Sequence, residues 1–232
     1  MNEDRITLSL ETAVRGGSIS LRRGIEELDF WLGQQEVSKS EDILDEIDRI
    51  LKRNELKKKS IDRIIVSRGP GSYTGVRIGI AIGMGLKKAL DCDLLGVSLF
   101  EAMLVKSSPG GNVSAGETIT AVPFGKRQIC LQIYRTDKRG FSMNRTESHL
   151  LTNEDFVDFC KASAVKSERK FILHHDIYAD LQNLPGIQTF PENCLIDAGK
   201  NLAGVIGVFG AVFPNYEKLR PIYLSDDIYS DK

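Results

Sequence analysis

Ser67-Arg68-Gly69-Pro70-Gly71-Ser72-Tyr73-Thr74-Gly75-Val76-Arg77-Ile78-Gly79 gives the clearest architectural signal in the chain. Before it stands Ile61-Asp62-Arg63-Ile64-Ile65-Val66, a β-branched run that reads as a buried strand. From Gly75 to Leu90 the pattern is that of a helix. Strand, glycine-rich turn and helix start therefore follow one another. Gly69 and Gly71 admit positive φ, and Pro70 fixes φ between them. Ser72 and Thr74 are good N-cap types. Such a turn presents backbone N–H groups at a helix N-terminus, which suits an anion or a tightly packed backbone. It is not a P-loop, because Val76 stands where lysine is needed, and its third glycine comes one residue late for a dinucleotide fingerprint. A phosphate cradle and a ligand-free turn both remain open.

The helix has its own peculiarity. Gly75, Gly79 and Gly83 recur at every fourth residue and form one smooth face. Each interior glycine costs about 1 kcal/mol against alanine, so close approach of another backbone is the expected compensation. Val76, Ile78, Ile80, Ile82, Met84 and Leu86 make the rest apolar as far as Lys87-Lys88. A helix apolar nearly all round belongs to a core or to an interface.

Upstream, Ile6, Leu8 and Leu10 alternate with Thr7 and Ser9, and Ile19 and Leu21 alternate with Ser18 and Ser20 across the Gly16-Gly17 turn. With Leu28 to Leu32 they predict three antiparallel strands. Glu11 and Thr12 close the first strand. Glu11 is either a group that orients a metal–phosphate ligand or a solvated strand terminus. Ser38 and Glu41 form a capping box for a helix to about Arg53, with Ile43, Leu44, Ile47, Ile50 and Leu51 as its apolar stripe. A short strand at Leu94 to Val97 and a capping box at Ser98 and Glu101, opening a helix to Lys106, complete an order β-β-β-α-β-α-β-α.

Ser107 to Glu117 has the composition of a loop. It divides a first lobe, 1–106, from a second, 118–232, with 107–117 as linker. The second lobe is expected to hold strands at 118–122, 128–135, 141–147 and 170–173, with Pro123 to Arg127 as a turn. Helices are expected at 153–164, capped by Thr152, at 177–184, and from near Cys194 to before Pro214. The 194–232 helix and tail are free to pack back on the first lobe. The second half repeats the logic of the first only loosely.

The 232 residues carry a net charge of -1, with 41% hydrophobic and 27% charged residues. That is ordinary globular material without a basic face for direct nucleic-acid binding. Four scattered cysteines without C-x-x-C spacing read as reduced thiols of a cytoplasmic protein. The opening Met-Asn-Glu-Asp-Arg has no apolar signal core, and no stretch reaches the ~18 apolar residues of a membrane span. His174 and His175 follow the expected strand Lys170 to Leu173, and as strand neighbours they point to opposite faces, a poor arrangement for chelating one metal. No metal site is expected.

Gly69 to Gly79 resembles the Gly-Pro-Gly-Ser-Phe/Tyr-Thr-Gly-Leu/Val-Arg-Ile-Gly signature of the TsaB family, also called YeaZ. Leu8 to Ser20, Gly96 to Ala102 and Pro221 to Leu224 are similar to further family segments. There are departures. Glu11-Thr12-Ala13 replaces Asp-Thr-Ala, Lys39-Ser40 replaces His-Ser, Pro123-Phe124-Gly125 replaces Asp-Ala-Arg, and Ser225 replaces a final arginine. The resemblance implies an actin-like, Hsp70-like and sugar-kinase-like (ribonuclease H-like) fold of two α/β lobes. It implies a non-catalytic partner in tRNA threonylcarbamoyladenosine biosynthesis, with no cofactor of its own and ATP or ADP only in the partner complex. The implied partners are a TsaD-like transferase, a TsaE-like ATPase and, in isolation, a second copy, with tRNA met indirectly. The contact would run through first-lobe helices, at Ile43, Leu44, Ile47, Ile50, Leu51, Gly75, Val76, Gly79, Ile80 and Gly83. The loop Gly69, Pro70, Gly71, Ser72, Tyr73 and Thr74 would launch it. An ATP-dependent transferase or kinase of the same fold is the alternative, resting on Glu11, Thr12, the Gly16-Gly17 turn and the glycine loop. No protease constellation is present.

Overall fold

The structure is a computed structural model. It describes residues 4–33, 40–104, 116–136, 144–164, 169–183, 194–213, 219 and 221–222. The chain divides into two units, Met1–Ala102 with Asn201–Tyr223, and Met103–Lys200 with Leu224–Lys232.

The first unit is built on β1 (Ile6–Glu11), β2 (Ser18–Arg23), β3 (Glu26–Leu32), β4 (Arg63–Ser67) and β5 (Asp93–Val97), in the order β3-β2-β1-β4-β5. β1, β2 and β3 pair antiparallel; β4 and β5 join in parallel. β1 and β4 are buried along their whole length. Their alternation sorts residues to two faces. Leu8, Leu10, Ile19, Leu21, Ile64 and Val66 pack with Ile43, Ile47, Ile50 and Leu51 of α1 (Ser40–Arg53). Ile78, Ile82 and Leu86 of α2 (Tyr73–Leu90) pack against the same cluster. Ser9 and Ile65 lie on the opposite face, under α6 (Leu202–Val212). α6 is itself glycine-faced: a Cβ on Gly207 would come 2.9 Å from the Ser9 Oγ, and one on Gly210 would overlap Ile65. The Arg63 guanidinium donates to the Gly210 carbonyl at 3.2 Å. α3 (Leu99–Leu104) follows β5.

The second unit holds β6 (Gly116–Phe124), β7 (Gln128–Thr136), β8 (Asn144–Thr152), β9 (Arg169–His174) and β10 (Leu195–Gly199) in the order β10-β9-β6-β7-β8. β6, β7 and β8 pair antiparallel, and β9 and β10 join in parallel. α4 (Asn153–Ala164) and α5 (His175–Gln182) supply Phe156, Cys160, Ile177 and Leu181 to a core with Ile119, Leu131, Phe171 and Leu173. Strand order and helix placement repeat those of the first unit, β-β-β-α-β-α-β-α twice.

Several expectations change. The segment from Cys194 is not the start of the last helix. Leu195–Gly199 is a strand paired with β9, and α6 begins at Leu202, capped by the Asn201 side chain, which accepts from the Gly204 N–H at 2.9 Å. Pro123 and Phe124 belong to β6, and the turn is Gly125 to Arg127. Pro123 stands near the end of β6, opposite Ile129 of β7 and beyond the Glu117 to Ala121 stretch that pairs with β9, a strand-end position where proline is tolerated. β8 occupies 144–152, later than the expected 141–147, of which 141–143 lie outside the described residues. Ser38 of the first capping box, 107–115 of the linker and the tail beyond Ile222 also lie outside them. No described helix is long and apolar enough to cross a membrane.

Candidate functional site

β4 leads into the glycine loop, and neighbouring backbone grips that loop from three sides. The Arg68 N–H donates to Val97 O at 2.9 Å, and Leu99 and Ile222 donate to Gly69 O and Arg68 O, each at 2.8 Å. The Ser72 N–H donates to Ala13 O at 2.7 Å. The Gly69–Pro70 peptide is cis. Gly69 adopts φ +93°, a conformation that favours glycine, and a Cβ on Gly71 would run into the Ala13 carbonyl. Ser72 is the N-cap, its hydroxyl accepting from the Gly75 N–H at 3.2 Å. The loop's N–H groups at Gly69, Ser72 and Gly75 are thus spent inside the chain.

The glycine face of α2 closes on its own unit. A Cβ on Gly75 would overlap the Thr12 carbonyl, and one on Gly79 the Thr12 hydroxyl. One on Gly83 would sit 2.6 Å from Val66 Cγ1. The Thr12 hydroxyl donates to Gly75 O at 2.7 Å. Val76 is fully buried, as are Ile43, Ile47, Ile50 and Leu51 within a few per cent. Of the expected contact set, Gly75, Val76, Gly79 and Gly83, with the inner stripe of α1, pack against the chain's own sheet and core. Ile80 is half-buried, and Leu44 is 49% exposed on the rim of α1.

What remains outward on α2 is a different row, Tyr73, Thr74, Arg77, Ala81, Met84, Gly85 and Lys88. Tyr73 and Met84 are 51% and 55% exposed. The Arg77 guanidinium lies 3.8 Å from the Tyr73 ring centroid, a cation–π contact that fixes both. A Cβ on Gly85 would meet nothing within 4 Å. The one-in-four spacing of 73, 77, 81 and 85 is present in the sequence, but the mixed chemistry of those positions makes it a weaker pattern than the glycines.

Glu11 is not a solvated strand terminus. It is 1% exposed, and its carboxyl Oε1 accepts from the Ala13 and Val14 N–H groups at 2.6 and 3.1 Å. Burial pushes its pKa up to about 7 against those two hydrogen bonds.

In the second unit the histidines do not alternate across a strand. His174 ends β9 and caps α5, its Nδ1 accepting from the Asp176 N–H at 3.2 Å. His175 opens α5 and sets Nδ1 2.7 Å from Asp197 Oδ2. Burial holds the His174 imidazole below its usual range. Among the described residues no group of three or more His, Cys, Asp or Glu is placed to hold a metal ion.

Residues 36–129 match the family model described as TsaD, tRNA N6-adenosine threonylcarbamoyltransferase. The chain is 23% identical over 190 residues to the tRNA threonylcarbamoyladenosine biosynthesis protein TsaB of Buchnera aphidicola subsp. Baizongia pistaciae. That alignment spans 82% of this chain and 76% of the relative. It is 34% identical over 134 residues to the TsaB of Escherichia coli K12, spanning 57% of this chain and 56% of that one. YeaZ from Pseudomonas aeruginosa shares its fold, with a TM-score of 0.60, 18% identity and coverage of 95% of this chain and 100% of that one. An inorganic polyphosphate/ATP-glucomannokinase from Arthrobacter sp. strain KM matches with a TM-score of 0.55 at 7% identity, covering 91% and 100%. Both are likenesses of fold, and they make this a two-lobe fold of the actin-like and sugar-kinase type. With the loop signature at Gly69 to Gly79, the chain is similar to members of the TsaB (YeaZ) family in sequence and to YeaZ in fold.

Proposed function

We propose that the chain is a non-catalytic partner subunit in tRNA threonylcarbamoyladenosine biosynthesis. It docks a TsaD-type subunit, or in isolation a second copy, on the outward row of α2 and the rim of α1. The observation that carries this reading is the division of α2 into two faces. One is locked into the sheet by glycines; the other exposes Tyr73, Ala81 and Met84. An exposed row of this kind, widened by Leu44, offers apolar anchors for an interface of roughly 800 Å² per partner. The TsaD family match spans α1 and α2. Two related chains would then present related helices to one another, which favours a pseudo-twofold pairing.

ATP, a TsaE-type ATPase and tRNA belong to the assembly rather than to this chain, which holds no cofactor of its own and works in the cytoplasm. The net charge of -1 fits a subunit that meets tRNA only indirectly. The second reading, an ATP-dependent transferase or kinase, leans on the glucomannokinase likeness, which is one of fold.

Co-purification with the TsaD of the same organism tests the proposal. Met84→Glu and Ala81→Arg should each weaken capture at least about tenfold, with unchanged circular dichroism. Undiminished capture by both variants overturns the interface. Tight Mg-ATP binding by the isolated chain, with turnover lost in Glu11→Ala, overturns the non-catalytic role.

A further inference from the structure

We propose that the turn joining β1 to β2 is a carboxylate-binding nest that carries its own ligand, the Glu11 carboxyl, and that this internal ligand latches the first turn of α2. Two consecutive backbone N–H groups, at Ala13 and Val14, converge on one carboxyl oxygen at 2.6 and 3.1 Å. Successive amides aimed at one point form an anion-binding concavity. Here the occupant arrives from within, at the end of a strand buried on both faces. Among the described residues no basic side chain pairs with Glu11, so the two amides are the partners that offset its charge. An outside phosphate finds these donors already taken.

The latch follows from what lies between the carboxyl and its amides. Thr12 and Ala13 are the residues that hold α2. The Thr12 hydroxyl donates to Gly75 O, and Ala13 O receives the Ser72 N–H, both at 2.7 Å. Gly71 and Gly75 lack side chains because the carbonyls of Ala13 and Thr12 occupy that space. Emptying the nest releases the turn, and with it the grip on residues 71–79. The inference does not depend on which partner α2 meets, and it is tested on the isolated full chain.

The test is thermal unfolding of Glu11→Ala in sodium acetate, sodium phosphate and sodium chloride at equal ionic strength. Loss of the buried acceptor, which leaves the Ala13 and Val14 amides unpaired, should lower the midpoint by about 4–8 °C for a chain of this size. Acetate, which has the size and charge of the missing group, should restore at least about half of that loss in the variant and leave the wild type unmoved. Amide exchange over 72–76 should rise in the variant and fall again with acetate. An unchanged midpoint, or one that acetate does not restore, overturns the proposal. So does a wild-type midpoint raised by phosphate with protection of Ala13 and Val14, because the nest would then be open despite Glu11. Should Glu11→Ala not fold, Glu11→Gln decides. It keeps the accepting oxygen, so exchange at Ala13 and Val14 should stay within about threefold of wild type, and a rise of about tenfold or more overturns the nest.

Discussion

Glu11 sits where a titrating carboxyl is least comfortable. In the unfolded chain it ionises near its ordinary value of 4.5; in the fold, burial moves this up to about 7. Between those values the folded state keeps a proton that the unfolded state releases. The contribution to stability is therefore complete below about pH 4.5 and is lost as pH rises through 7. A difference of one pH unit between the two ionisations corresponds to about 1.4 kcal/mol, so the whole window is worth on the order of 3 kcal/mol. Glu11→Gln cannot ionise and keeps the oxygen that the Ala13 and Val14 amides need. Its stability relative to wild type should rise by about 2–3 kcal/mol between pH 5 and pH 8. Urea denaturation of both proteins at the two pH values measures the difference, in which all other titrating groups cancel. An equal difference at both would mean that the carboxyl is not held in a desolvated site.

At the scale of the element, α2 is one helix with two opposite responses to the same substitution. Gly79→Ala places a methyl group in the space of the Thr12 hydroxyl and breaks the bond from Thr12 to Gly75 O. Alanine's better helix propensity returns about 1 kcal/mol, while overpacking against the Thr12 side chain costs about 1–3 kcal/mol and the broken hydrogen bond about 1 kcal/mol more. A net loss of about 1–3 kcal/mol is expected, seen as a lower midpoint in thermal unfolding. Gly85→Ala meets nothing within 4 Å and should gain about 0.5–1 kcal/mol. If both variants move stability the same way, the glycines are serving helix propensity and not packing.

The helix also shows what the sequence could and could not convey. Glycine at every fourth position announces that something lies close, but not whether that something is another chain or the chain's own Thr12 and Val66. Contact identity is long-range information, and local pattern does not carry it. β10 is hidden for a related reason. Leu195-Ile196-Asp197-Ala198-Gly199 is five residues long, with Asp197 and Gly199 interrupting its apolar run, and it abuts the strongly apolar α6. The longer helical pattern absorbs it. Elements with long, strongly periodic patterns, such as α1, β1 and the loop-to-α2 junction, are legible to within a few residues. The outward row of α2 is not, because exposure on an apolar helix is decided by what the other side packs against.

Across the whole molecule, β10 is the strand that completes the repetition of one β-β-β-α-β-α-β-α unit. The last helix then falls in an instructive place. α6 comes near the end of the chain but belongs to the unit that opens it. It covers the face of the first sheet that carries Ser9, Ser20, Arg22 and Ile65. Its start is tied down by the Ala203 N–H donating to Ser18 Oγ at 2.9 Å, and by the Asn201 amide donating to Glu27 Oε1 at 3.0 Å. Leu202, Ala203, Val205, Ile206 and Phe209 are buried. The first unit therefore cannot finish folding until the C-terminal segment has been made. Truncation after Gly199 would strip one face of a five-stranded sheet, exposing an apolar and partly charged surface that the chain cannot cover again. Losing four large buried apolar residues at about 1.5–3 kcal/mol each is comparable with the whole of the roughly 5–15 kcal/mol that keeps a domain folded. The expected outcome is a chain that loses cooperative unfolding and enters the insoluble fraction. Supplying residues 200–232 as a separate peptide should restore part of the soluble yield. A truncated chain that stays soluble and unfolds with an undiminished midpoint would mean that α6 is an accessory to the first unit rather than its closing layer.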